Sequence, residues 1–228
     1  KKLIFSEKIR LEDVSFRYKN NLPNVYENIN FQITKGTKIG ILGKTGVGKS
    51  TLLDLIMGLL HPTSGKIYVD DSPIEQNNMS LWRKKVTHVP QDIFLINGSI
   101  LENIALGFKN EEIDRDKAED CAKKSEIFDF IHSLPDQFNE TVGERGIKLS
   151  GGQKQRIGIA RALYRESELI VLDEATNALD TGTEKKIIDS IHKFENITII
   201  IVAHRIDTLK ICDKVYEVKK NKITEVNI

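Results

Sequence analysis

The chain has 228 residues, 39% of them hydrophobic and 29% charged, which suits one large or two small soluble globular domains with a substantial core. A net charge of +1 supplies no overall basic field for nucleic acid, and the isolated Cys121 and Cys212, without C-x-x-C spacing, argue against a disulfide framework or a zinc site and suit a reducing compartment. The longest apolar run, Leu52 to Leu60, contains Asp54 and is too short to span a bilayer, no signal peptide is visible, and the start at Lys1-Lys2-Leu3 without a methionine reads as a piece of something longer.

Ile9, Leu11, Val14, Phe16 and Tyr18, separated by polar residues, predict a strand over 9–18. Asn20 to Asn24 is a turn, and Ile29 to Ile33 alternates again, so the chain begins as an antiparallel pair. Lys35-Gly36 turns into the apolar run Lys38 to Leu42. A helix follows from Gly48 to near Leu60, where His61 to Gly65 supply stop signals. A short strand over 66–69 ends at a turn, Asp70-Asp71. Ser80 to Lys84 predicts a brief helix, and Lys85 to Pro90 a strand ending at Gln91. Residues 99–138 are rich in helix formers and charge, and together with a helix over 150–165 they predict a helical subdomain over about 99–165. Ile157, Ala160 and Tyr164 share one face of that last helix. Leu169 to Leu172 and Ile197 to Ala203 are nearly all apolar, as buried parallel strands are, with a helix over 183–195 between them. Residues 215–226 alternate like a terminal hairpin.

The stretch Gly43-Lys44-Thr45-Gly46-Val47-Gly48-Lys49-Ser50 sits between the predicted strand and the helix that opens with Thr51, the context that gives a G-x-x-x-x-G-K-[ST] match its meaning. Glycines let successive N–H groups turn inward as a nest for anionic oxygens, and the helix N-terminus adds roughly half a positive charge. Lys49 reaches β- and γ-phosphates and the Ser50 hydroxyl ligates Mg²⁺ in such a loop, so the chain is expected to bind a nucleoside triphosphate. Asp173 and Glu174 end the strand that starts at Leu169, placed where open α/β sheets hold ligands. Asp173 suits a Mg²⁺ role, and Glu174 suits the general base for an attacking water. His204 ends the next apolar strand and is a candidate donor to the γ-phosphate, while Gln91 offers an amide oxygen to Mg²⁺ or water. His61, His88, His132 and His192 have no comparable setting. Leu149-Ser150-Gly151-Gly152-Gln153 makes a second anion-binding helix start. One triphosphate does not need two from a single domain, and a second copy of the chain would use it across an interface.

Tyr18, the phosphate loop, Gln91, LSGGQ, LIVLDE, Ala178-Leu179-Asp180 and His204 occur in the order of the ABC transporter nucleotide-binding domain, which the whole chain, 1–228, resembles. The resemblance implies a P-loop NTPase α/β fold with a RecA-like core sheet, an N-terminal antiparallel β-subdomain and an α-helical subdomain. It implies ATP and Mg²⁺ as cofactors, with Tyr18 stacked on adenine and Ser150 and Gly152 meeting the γ-phosphate of the ATP held by a partner domain. Asp180 is then at the interface of a homodimer formed with ATP. Thr141-Val142-Gly143-Glu144-Arg145-Gly146 resembles the segment by which exporter-type domains touch their membrane helices, and Pro90 to Leu95 followed by Gly98-Ser99-Ile100 is also exporter-like. Asn177 departs from the family, which usually has Ser before Ala-Leu-Asp.

The leading expectation is therefore an ATPase module at the cytoplasmic face of a bacterial inner membrane, driving an exporter through a transmembrane domain. The alternative is a soluble ABC ATPase acting in translation or DNA repair, but one cassette without a heptad run does not match those forms. A small-molecule kinase leaves LSGGQ unexplained, and a GTPase lacks its N-K-x-D signature, which Asn221-Lys222-Ile223-Thr224 fails to supply. Asp54 to Leu60 and Ser80 to Arg83 are similar to exporters of lipid-linked oligosaccharide or polysaccharide.

Overall fold

The computed structural model describes residues 3–175, 179–192, 197–203 and 205–228. In chain order the elements begin with strands β1 (Lys8–Phe16), β2 (Tyr26–Thr34) and β3 (Lys38–Leu42), helix α1 (Lys49–Ile56), and strands β4 (Ser64–Val69) and β5 (Ser72–Pro73). Helix α2 (Met79–Arg83), strand β6 (Val86–Val89) and helices α3 (Ile100–Ile104), α4 (Arg115–Lys124), α5 (Phe128–His132) and α6 (Gly151–Tyr164) follow. The chain continues with β7 (Leu169–Asp173), α7 (Thr181–His192), β8 (Thr198–Val202), α8 (Ile206–Leu209) and the hairpin β9 (Lys214–Lys219) and β10 (Lys222–Val226). It divides into two units, one of residues 1–87, 168–172 and 196–228, the other of 88–167 and 173–195.

The first unit holds a sheet ordered β2-β1-β4-β5 and most of a six-stranded sheet ordered β10-β9-β3-β8-β7-β6. β1 pairs antiparallel with β2, setting Ile9 opposite Ile33 and Leu11 opposite Phe31, all buried. The register shifts between Leu11 and Val14, where Asp13 takes φ 48°, so the three-residue step between these two core positions is a β-bulge. The strand ends at Phe16, leaving Tyr18 beyond it and 56% exposed. β3 lies between β8 and β9, parallel to both, and its Ile39 and Ile41 are fully buried. A strand covered on both faces needs no polar alternation, which is why this run, like 169–172 and 198–202, is continuous and apolar.

α1 buries Leu52, Leu53, Leu55 and Ile56, each at most 1% exposed and each contributing at most about 1.5–3 kcal/mol by leaving water. It stops at Ile56, earlier than the expected end near Leu60. Gly58 turns left-handed at φ 71°, and the Asp54 carbonyl accepts from both Leu59 and Leu60 N–H. The freed Ile56 carbonyl accepts from the Trp82 indole at 2.8 Å, so α2 closes the end of the phosphate-loop helix. The two-residue turn at Asp70-Asp71 keeps a left-handed residue, Asp70 at φ 52°, and uses its carboxylate as well. That carboxylate accepts from the N–H groups of Ser6, Glu7 and Lys8 and from the Ser6 hydroxyl. Burial alone would raise its pKa, but these bonds hold it below the ordinary carboxylate value.

The second unit packs α3, α4, α5 and α6 around Ile100, Ile104, Ala118, Ala122, Ile131 and Phe138. Ile157, Ala160 and Tyr164 of α6 join that core together, confirming the shared face. α3 opens with a capping box between Ser99 and Glu102. α7 starts at Thr181, two residues before its predicted start, and 193–195 lie outside the described residues. Among the described residues no helix is long and apolar enough to cross a membrane.

Candidate nucleotide site

The glycine-rich loop leaves β3 at Leu42 and enters α1 at Lys49. Two of its glycines are irreplaceable on geometry. A Cβ at Gly43 would lie 2.8 Å from the Val218 carbonyl oxygen, and Gly48, at φ 112° and ψ 6°, is pressed against the Tyr26 ring. Lys44, Thr45 and Gly46 at the loop's crest are exposed, with Val47 partly so. Lys49 is only 9% exposed by contrast, and its ammonium folds over the loop to donate to the carbonyls of Gly43 at 2.7 Å and Lys44 at 3.2 Å. Ser50 is exposed at the helix start and Thr51 is buried. The arrangement puts a cation and helix-terminal amides at one point, the demand of an anionic ligand.

Tyr18 meets the same helix turn. Its hydroxyl lies 2.9 Å from Thr51 Oγ1, and its ring packs edge-on against Phe16 with centroids 5.0 Å apart, leaving aromatic surface to solvent. Sequence alone does not single out a second tyrosine, because Tyr26 falls before the alternation that starts at Ile29. Its hydroxyl donates to the Gly48 carbonyl at 2.9 Å. Burial, and secondarily the neighbouring Tyr18, push its pKa far above the ordinary phenol value, so it stays a donor.

In the second unit α6 starts with a full capping box. Ser150 N–H donates to Gln153 Oε1 at 2.8 Å, and Gln153 N–H to Ser150 Oγ at 3.3 Å, with Gly151 and Gly152 in the first turn. Further along α6, Gln155 donates to the Gln91 carbonyl at 3.3 Å. Arg161 donates to the carbonyls of Asn103 and Phe94, and burial, reinforced by Arg165, brings its pKa down to about 10. Lys154 donates to the Arg145 carbonyl at 3.0 Å. α6 therefore fixes the segment after Gln91 and the 141–146 segment together. Between them opens a cleft of about 530 Å³ lined by Gln91, Ile93, Phe94, Arg145, Gly151 and Lys154.

β7 delivers Asp173 and Glu174 at its end. Glu174 takes φ 52°, a left-handed conformation costing a non-glycine residue roughly 1–2 kcal/mol, of the kind that collects at functional positions. His88, which the sequence leaves without a functional setting, has its Nε2 3.9 Å from Asp173 Oδ2. A histidine in a short strand carries no sequence signal for that. Asp180 accepts from the N–H groups of Thr183 and Gly182 at 3.0 and 3.1 Å and so caps α7. Its bonds to the Thr183 hydroxyl and N–H, then to Gly182, hold its carboxylate below the ordinary range. His204 and Asn177 lie outside the described residues.

Comparison with known proteins places the chain in a family. The ABC transporter family profile matches residues 26–177. The alpha-hemolysin translocation ATP-binding protein HlyB of Escherichia coli is 40% identical over 218 residues, 95% of this chain and 31% of that protein. The ATP-dependent lipid A-core flippase of Chromohalobacter salexigens is 36% identical over 219 residues, 96% of this chain and 38% of that protein. A solved structure of a bacterial Atm1-family ABC exporter with ATP bound superposes with a TM-score of 0.91 at 33% identity, covering 98% of this chain and 39% of that one. The chain spans about a third of the length of these curated relatives.

Proposed function

The chain belongs to the ABC transporter family, as an ATPase domain of the P-loop α/β fold, and on that premise we propose that it is the ATP-hydrolysing module of an exporter. It works with a second such domain, as an ATP-linked homodimer, and with a transmembrane domain. The observation that carries this reading is the phosphate loop, where Lys49 and the α1 amides converge at the end of a buried strand.

The exposed Tyr18 ring stacks on adenine, and the amides of Gly43 to Thr51 receive the phosphates. Lys49 exchanges two neutral carbonyls for β- and γ-oxygens, which attract an ammonium more strongly. Ser50, Asp173 and Gln91 are hard oxygen donors of the type Mg²⁺ prefers. Mg²⁺ held by such donors would neutralise charge on the β- and γ-phosphates. Glu174 takes a proton from water while the water oxygen bonds to the γ-phosphorus. The bond from that phosphorus to the bridging oxygen breaks, and ADP and phosphate leave. His204 donates to the γ-phosphate in this scheme, on the strength of its place in the sequence. Ser150 and Gly152, on the rigidly capped start of α6, face the γ-phosphate of ATP held by the partner domain. Asp180 lies at that interface.

The cleft beside Gln91 and Arg145, with Phe94 61% and Ile147 81% exposed nearby, suits docking of an apolar element from the transmembrane domain. The module then works at the cytoplasmic face of the membrane, which we assign as a bacterial inner membrane. The names of the relatives above refer to alpha-hemolysin and to lipid A-core, as expected if the membrane part selects substrate. On the likeness of residues 54–60 and 80–83 we favour a lipid, lipid-linked oligosaccharide or polysaccharide.

Glu174→Gln tests the assignment. The amide accepts no proton, so ATP binding persists while turnover falls by a factor on the order of a hundred or more. Phosphate release within a few-fold of wild type contradicts Glu174 as the base.

A further inference from the structure

We propose that Tyr26 is a positioning residue for the phosphate loop, its buried hydroxyl fixing the Gly48 carbonyl so that the Lys49 N–H is aimed at the phosphates. The inference rests on the ATP-binding reading above and adds a residue from outside the loop. Tyr26 opens β2 opposite Phe16 of β1 and is 0% exposed. A phenylalanine would fill the same volume, so the hydroxyl is the informative part. It donates to Gly48 O at 2.9 Å, and the same oxygen accepts from Leu52 N–H at 2.9 Å, the first turn of α1. Both lone pairs of that carbonyl are therefore used.

The planar peptide couples that carbonyl to the next N–H. In a trans peptide the Gly48 carbonyl and the Lys49 N–H point in opposite directions. A carbonyl held along the helix toward Leu52 and Tyr26 aims the Lys49 N–H outward from the helix start, where an anion binds. Gly48 sits in the left-handed region with few restraints of its own. A Cβ there would lie 3.0 Å from the Tyr26 hydroxyl oxygen and 3.1 Å from Val25 Cγ1, so β2 presses directly on this peptide. The Tyr18 hydroxyl, 2.9 Å from Thr51 Oγ1, holds the next position of the same turn. Tyr26 on β2 and Tyr18 just past the end of β1 thus brace the turn that carries Lys49 and Ser50.

Tyr26→Phe in this 228-residue chain tests the proposal, with ATP and adenosine as the two ligands. The loss of one internal hydrogen bond to a binding element is expected to weaken ATP about tenfold. Adenosine, without phosphates, binds as before, and in turnover KM rises while kcat at saturation is kept. A merely structural tyrosine lowers the melting temperature and leaves KM and the ATP-to-adenosine ratio alone, which overturns the proposal. If wild type itself fails to bind ATP, the ATPase reading falls and takes this inference with it. If wild type binds and the variant binds equally well, only the inference falls. Wild type also carries a readout that needs no variant. A Tyr26 hydroxyl proton donated inside the core exchanges slowly and shifts in NMR spectra when ATP is added. A resonance absent or unmoved by ATP overturns the proposal even where the variant does not fold.

Discussion

Asp70→Asn separates a structural charge from the catalytic ones. The side chain keeps its shape, and Asn tolerates the left-handed backbone at φ 52°. In the native chain one carboxylate oxygen accepts from Glu7 and Lys8 N–H at 2.8 and 2.9 Å, and the other from Ser6 N–H and hydroxyl at 2.7 and 2.8 Å. The amide keeps one acceptor, weakened because it is neutral, and turns an NH₂ toward the Ser6 N–H, donor against donor. Ser6 is exposed, so water relieves part of that conflict. The net cost is about 2 kcal/mol at neutral pH, a fall of roughly 4–8 °C in melting temperature for a chain of this size. The pH dependence has a definite sign. The folded carboxyl is held below its unfolded value of about 4, so its contribution is complete above that pH and lost as pH falls through the folded value. Thermal melts of both proteins between pH 7 and 3 should show a gap that closes on acidification. Equal melting temperatures at pH 7, or a gap independent of pH, refute the reasoning.

Lys49→Ala removes an ammonium that is otherwise held over the loop, and ATP affinity should fall about tenfold or more in a fluorescent-analogue titration; unchanged affinity means the loop holds phosphate by its amides alone. Ser150→Phe puts a ring at the exposed start of α6, so the variant should bind ATP like wild type yet neither dimerise nor hydrolyse it, and normal turnover refutes the shared site.

The parts of this molecule that depend on short-range patterning are readable in the sequence. The runs 38–42, 169–172 and 198–202 are apolar because both faces of their strands are covered, the helix start at Gly48 carries its own glycines, and the one at Ser150 carries glycines and a cap. The features that escape it depend on contacts between distant segments. α1 ends at Ile56 and not near Leu60 because Gly58 turns and the Trp82 indole, 26 residues away, takes the Ile56 carbonyl. His88 comes near Asp173 only because another strand carries it, and the Tyr26 hydroxyl reaches the Gly48 carbonyl across 22 residues. Asp70 reads as part of a turn, while its carboxylate serves three backbone N–H groups more than sixty residues earlier. Neither composition nor periodicity encodes such pairings.

The central claim is that ATP bound at one phosphate loop completes its site with the Ser150–Gly152 helix start of a second copy. Light scattering on Glu174→Gln with ATP, with ADP and without nucleotide measures this directly. Two helix N-termini carry like partial charges and need the γ-phosphate as a bridge, so a two-fold dimer holding two nucleotides should form with ATP only, the other samples remaining monomeric. A monomer under all three conditions, or a dimer indifferent to the γ-phosphate, contradicts the account.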